Sequence, residues 1–214
     1  MFSELLKNNR NILQKTNSYL LPHLDKIIDK IAQVERSAGD DYTNAFQCQQ
    51  LPKGAYLVKE GTVCRHLWFL EKGMARIYVC KKGLERNQYF FFPSEMIDSF
   101  CSSAFQMPSR LSIQLLEDSI VYSIPKSRLE ELKKTYPLIS DIEILMRDCH
   151  HNWMEERMHN LLFFNAREHY QYLLATQPYL IQHVSRYHLA SFISISRETL
   201  CRTSHSTYEY ARVG

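Results

Sequence analysis

The segment Arg186–Arg202, RYHLASFISISRETLCR, constrains this chain more than any other stretch, because it is legible as two short helices joined by a tight turn. Ala190 is small where the two helices would touch, Leu189 and Ile193 would face inward, Ile195 would plug the turn, and Leu200 would anchor the second helix. Ser196 is placed to cap that helix by accepting a backbone N–H bond, and Glu198 in its first turn suits the positive end of the helix dipole. Arg197, Glu198, Cys201 and Arg202 are left on the outer face. Such a face suits the major groove of DNA, where Arg pairs with guanine O6/N7 and Glu accepts from cytosine N4. Taken alone, the pattern also suits a helical hairpin closing a domain.

With 214 residues, 45% of them hydrophobic, the chain can bury one large or two modest cores. The formal charge of +3 neither demands nor excludes nucleic acid, so its distribution matters more. Arg186, Arg197, Arg202 and Arg212 against Glu198 and Glu209 make the last segment locally basic. No run is apolar enough for a signal peptide or a membrane span, which predicts a cytoplasmic protein with no membrane partner. Cys48, Cys64, Cys80, Cys101, Cys149 and Cys201 form no Cys-x-x-Cys pair, so reduced thiols are expected rather than a zinc knuckle or a disulfide framework.

Leu5-Leu6, Ile12-Leu13, Leu20-Leu21, Leu24, Ile27-Ile28 and Ile31 recur at helical spacing, predicting a helical cap on the rest of the N-terminal half. From there to about Ile124, Gly54, Gly61, Gly73 and Gly83 separate short aromatic and β-branched segments, the pattern of a small all-β roll. Leu67–Leu70 and Ala75–Val79 are expected to be strands joined by a tight turn through Lys72-Gly73. Ser127…Glu130, Ser140…Glu143 and Asn165…Glu168 each have capping-box spacing. In the long helix around and beyond Ser140, Ile139, Ile142, Met146, Cys149 and Trp153 alternate three and four apart, a seam expected to meet a second copy of the chain. Met154, Met158, Leu161 and Leu162 add a second apolar flank, so that one stripe can pack on the chain's own roll while the other meets the partner. The expected division is residues 1–126, cap and roll; 127–164, linker and dimerisation helix; and 165–214, the helix-turn-helix unit.

The run Ser196-Arg-Glu-Thr-Leu-Cys-Arg202 resembles the recognition helix of the Crp/Fnr superfamily of transcription regulators, which reads Ser-Arg-Glu-Thr-Val-Gly-Arg. Leu51-Pro-Lys-Gly54, Glu60-Gly61, Trp68–Gly73, Lys82-Gly83 and Phe92-Pro-Ser-Glu95 resemble, in order, the cyclic-nucleotide-binding β-roll of the same superfamily. Leu116-Glu117-Asp118-Ser119 is similar to its Bacteroidetes-type members. The resemblance implies an α+β chain with an N-terminal double-stranded β-roll, a long dimerisation helix and a C-terminal winged helix-turn-helix, its wing shortened. It implies an allosteric homodimer on a palindromic DNA operator, with RNA polymerase as a further partner. Base contacts would come from Arg197, Glu198 and Arg202, with Ser196 as the cap and Arg186 on phosphate. Two departures stand out. Ser194 replaces the usual turn glycine, and the polar run Thr203–Thr207 predicts fraying of the last helical turns.

In nucleotide-binding relatives a Gly-Glu pair opens the phosphate-binding segment, its Glu holding the ribose and a later Arg the cyclic phosphate. Here Ser94-Glu95 opens it and Ser109 stands at the arginine's place, while Arg110, one residue on, points to the other face of a strand. Without a bidentate arginine the phosphate loses a strong charge-assisted contact, so no cofactor is expected, the effector is left unidentified, and a cyclic nucleotide is not expected in that role. A metal site is not expected either, because the roll offers only His66, while His150, His151, His159, His169, His183 and His188 lie on helical segments. No Walker loop, dinucleotide fingerprint or nucleophile elbow marks an enzyme. The competing readings are a roll sensor that acts through protein contacts without DNA, and, more distantly, a cupin-like metal enzyme.

Overall fold

The computed structural model describes residues 1–10 and 21–213, with side chains at 1–10 and 24–205. Helices α1 (Phe2–Asn8), α2 (Leu21–Ala38) and α3 (Asp40–Thr43) precede eight strands: β1 (Gln47–Leu51), β2 (Tyr56–Val58), β3 (His66–Lys72), β4 (Ala75–Lys81), β5 (Leu84–Phe91), β6 (Met96–Ile97), β7 (Ser112–Leu115) and β8 (Ser119–Pro125). Helix α4 (Phe100–Phe105) interrupts the strands, and α5 (Lys126–Thr135), α6 (Leu138–Phe163), α7 (Ala166–Thr176), α8 (Pro178–His183), α9 (Arg186–Phe192) and α10 (Arg197–Val213) come after them. The strands form two antiparallel four-stranded sheets, ordered β1-β8-β3-β6 and β2-β7-β4-β5. Of the residues expected in the helical cap, Ile12, Leu13 and Leu20 lie outside the described residues, as do the side chains of Glu209 and Arg212.

Sheet residues divide by face. Trp68 and Leu70 of β3 join Ala75, Ile77, Ile113 and Val121 in the interior, whereas Leu67 and Phe69 face the opposite way, under the N-terminal helices. Phe2 packs there against Phe69, Phe46 and Tyr122, and its backbone N–H donates to Glu35 of α2 at 2.6 Å. The cap is thus a layer over one sheet. The turn after Lys72 departs from expectation, since β3 and β4 belong to different sheets and the chain crosses between them instead of forming a hairpin. Gly73 makes that crossing at φ +102°, and a Cβ placed there would lie 2.1 Å from the Ser119 hydroxyl oxygen. The true hairpin is β4–β5, where Lys82 and Gly83 both have positive φ, as a type I′ turn requires.

Two of the three capping boxes do not form. Helix α5 starts at Lys126 and α6 at Leu138, each directly after a proline, so Ser127 and Ser140 fall inside the first turn. The proline ring presets φ for helix entry, and the acids are drawn elsewhere: Glu130 and Glu143 both pair with Lys133. The third box forms fully. Asn165 accepts from the Arg167 and Glu168 N–H groups at 3.0 Å each, and Glu168 accepts from the Asn165 N–H at 2.8 Å.

The seam on α6 also lies elsewhere than expected. Ile139, Ile142 and Cys149 are buried against the chain's own α2 and cap, Met146 packs beside them, and Trp153 is buried in the core of the roll. Burying α2's apolar stripe (Leu24, Ile27, Ile31, Val34) takes up this face, so these side chains form core within the chain. The second flank of Met154, Met158, Leu161 and Leu162 remains exposed, Leu162 at 70%, and Ile144 is exposed as well. No described helix is long and apolar enough to cross a membrane.

Candidate DNA-binding face and effector cavity

Helix α9 is capped by Ser185, whose hydroxyl accepts from the His188 N–H at 3.3 Å. It ends in a turn closed by the Ile195 N–H donating to the Ala190 carbonyl at 3.0 Å, with Ser194 at φ +61° in the left-handed position that glycine would favour. Leu189, Ala190, Ile193 and Leu200 are buried, and Ile195 packs against them. Ser196 caps α10 by accepting from the Thr199 N–H at 3.1 Å. Arg197, Glu198 and Arg202 are exposed together on α10. The Glu198 carboxyl is held below its usual range by its own backbone N–H, the Ser196 hydroxyl and the two arginines, so it is an ionised acceptor at neutral pH. Arg186, also exposed, reaches to 3.4 Å from Cys201 Sγ on the same side. Contrary to the expected fraying, α10 runs unbroken to Val213, with Thr203 and Ser204 buried and the Ser204 hydroxyl donating to the Cys201 carbonyl. No strand comes after α10 among the described residues, so the expected wing is not seen there.

A polar junction holds this unit to the roll. Asn87 of β5 donates its backbone N–H to Ser191 Oγ at 3.1 Å and its side-chain amide to the His188 carbonyl at 3.0 Å, while Ser191 Oγ donates to the Glu85 carbonyl. Buried Arg76 pairs with Glu85 at 2.7 Å and meets Asn87, Gln114 and His188 Nδ1. Burial, with Arg76 adding to it, lowers the His188 pKa, so the ring serves as a neutral acceptor. From α6, Arg157 donates to the carbonyls of Asn87 at 3.1 Å and Phe192 at 2.7 Å and lies 3.9 Å over the Phe192 ring. Burial brings its pKa down to about 10. No motif marks these residues in the sequence, although an arginine inside the apolar strand Ala75–Val79 is a signal, because a buried charge requires partners.

Between α6 and the roll lies a cavity of about 50 Å³, lined by Glu95, Tyr89 and Phe91 and by His150 and Trp153 of α6. Of the four expected effector residues, Ser94 and Glu95 line it and Ser109 and Arg110 do not. Buried Ser94 bonds to Asn9 and to the Leu5 carbonyl, tying this corner to α1. Ser109 is buried against Ser99 Oγ at 3.2 Å and donates to the Leu111 carbonyl, whereas Arg110 is exposed. No lysine or arginine lines the cavity. Among the described residues no group of three or more His, Cys, Asp or Glu gathers as a metal site.

The two facing antiparallel sheets, the long helix and the capped helix-turn-helix define a roll-and-helix fold. A family model for the cyclic nucleotide-binding domain matches residues 48–136. The chain is similar in structure to FixK2 from Bradyrhizobium japonicum, at 17% identity and TM-score 0.64 over 78% of this chain and 86% of the other. It is similar also to a putative Crp/Fnr-family transcriptional regulator from Eubacterium rectale, at 16% identity and TM-score 0.63 over 81% and 83%. A third likeness is to the Thermus thermophilus catabolite activator protein, at 21% identity and TM-score 0.50 over 81% and 84%. No curated protein matches the sequence. Residues 48–136 are therefore similar to the cyclic nucleotide-binding domain family, and the chain shares the fold of these solved structures.

Proposed function

We propose that this chain is a DNA-binding transcription regulator that works as a homodimer. The observation that carries the reading is the exposed Arg197, Glu198 and Arg202 face, on a helix capped at Ser196 and braced by a buried turn. Such a helix presents guanidinium and carboxylate groups to base edges in the major groove, and Arg186 is placed to meet phosphate. The solved structures that share the fold include proteins described as transcription regulators. A second copy would pack on the free α6 flank, Ile144 to Leu162, bringing two α10 helices to half-sites about 34–36 Å apart.

Mutation of the contact residues tests the reading. Arg197→Ala, Glu198→Ala and Arg202→Ala should each cost about 1–3 kcal/mol at particular operator positions. Arg186→Ala should weaken all sequences alike and flatten the dependence of affinity on salt. Losses from Arg197→Ala and Arg202→Ala that are uniform across sequences would remove the base-reading role.

A further inference from the structure

We infer that the roll carries its own ligand: the Trp153 indole, together with the Tyr89 hydroxyl, occupies the effector cavity, so that an indole-sized neutral aromatic ring, and not a nucleotide, is what the site recognises. This inference rests on the regulator reading and names the regulation of that site.

Three observations converge. Glu95, which the resemblance marks as the ribose-holding acid, lines the same cavity as Trp153. Its Oε2 accepts the Tyr89 O–H at 3.2 Å, so the chain's own phenol supplies the hydroxyl donor that a ribose would bring. The Trp153 ring meets Tyr89 edge-on at 4.7 Å and 89° and stacks beside His150 at 5.8 Å and 24°, so aromatic faces already surround the space that is left. The indole is 6% exposed, and the remaining 50 Å³ holds no more than a few waters. Neither lysine nor arginine is among the lining residues, so a phosphate would find no charge-assisted partner there.

Because Trp153 belongs to α6, its packing in the roll ties the long helix to the sheets. Four residues on, Arg157 continues the connection by holding the carbonyls of β5 and α9. Occupancy of the cavity by Trp153 thereby sets the position of the helix-turn-helix unit without an outside effector.

The test uses the full chain with Trp153→Ala, with and without saturating indole or cyclic AMP. Two properties are read: affinity for operator DNA, and hydrogen exchange of α9 and α10 amides. The variant should lose about tenfold in DNA affinity, an ordinary coupling between sites, and exchange faster in both helices. Indole should restore both and cyclic AMP neither, while the unmodified chain should respond to neither compound. A folded Trp153→Ala chain with unchanged affinity and exchange would reduce Trp153 to a core filler and overturn the inference, as would rescue by cyclic AMP. If the alanine variant does not fold, Trp153→Leu with benzene as the probe carries the same test. Failure of the unmodified chain to bind DNA would count against the regulator reading alone, and the exchange measurement would still decide this one.

Discussion

Acid should destabilise this protein through a histidine that folding keeps neutral. His169 is buried on α7, its ring 6.3 Å from Phe164, and burial with the Arg157 charge brings its pKa from 6.5 to about 4. Between those values the unfolded chain binds a proton that the folded chain refuses, so stability is complete above about 6.5 and falls as pH drops through the window. At about 1.4 kcal/mol per pKa unit the loss reaches about 2 kcal/mol by about pH 5 and about 3 kcal/mol by about pH 4. His150 and His188 are shifted the same way by burial and add to the slope. Urea unfolding at a series of pH values, for the unmodified chain and His169→Gln, measures the difference. The variant should be less sensitive to acid by about 2 kcal/mol between about pH 7 and about pH 5. Equal slopes for the two chains would refute the idea that His169 is held neutral by the fold.

The geometry sets other outcomes too. Ser194→Gly should gain about 0.5–1 kcal/mol in urea unfolding, because relief of a left-handed cost of about 1–2 kcal/mol exceeds the extra unfolded-chain entropy of glycine; a loss would mean the Ser194 turn is not strained. Gly73→Ala should cost at least about 2 kcal/mol, since positive φ and the Ser119 clash act together; thermal melting reads it, and an unchanged midpoint would contradict the crossing described. Met158→Glu with Leu162→Glu should give folded monomers in sedimentation, whereas Ile142→Glu should unfold the chain by burying a charge. A folded monomer from Ile142→Glu would return the interface to the buried seam.

The helix-turn-helix was legible because its determinants are local: a cap, a small residue, a turn plug and an anchor within seventeen positions, each of which the structure uses as read. The roll was legible in its strands but not in its sheet partners. Lys72-Gly73 has hairpin composition, yet β3 pairs with β6 and with β8, the latter about fifty residues later in the chain, and no local pattern announces such pairings. On α6, both flanks repeat at helical spacing, so periodicity could not say which one the chain would keep for itself; α2 decided it by needing cover. The starts of α5 and α6 went to proline-preset backbone over serine caps, a competition that sequence spacing does not rank. The Tyr89–Glu95–Trp153 cavity and the Arg76–Asn87–His188 junction join residues from distant strands and helices, and only the fold brings them together.

Base reading by α10 is put to trial by selecting genomic fragments with the purified chain. Selection should enrich an inverted repeat whose half-sites are centred about 10–10.5 base pairs apart, or a multiple of that, and the enrichment should be lost when Arg197 and Arg202 are replaced by alanine. Recovery of no common sequence, or of the same repeat by the doubly substituted chain, would contradict it.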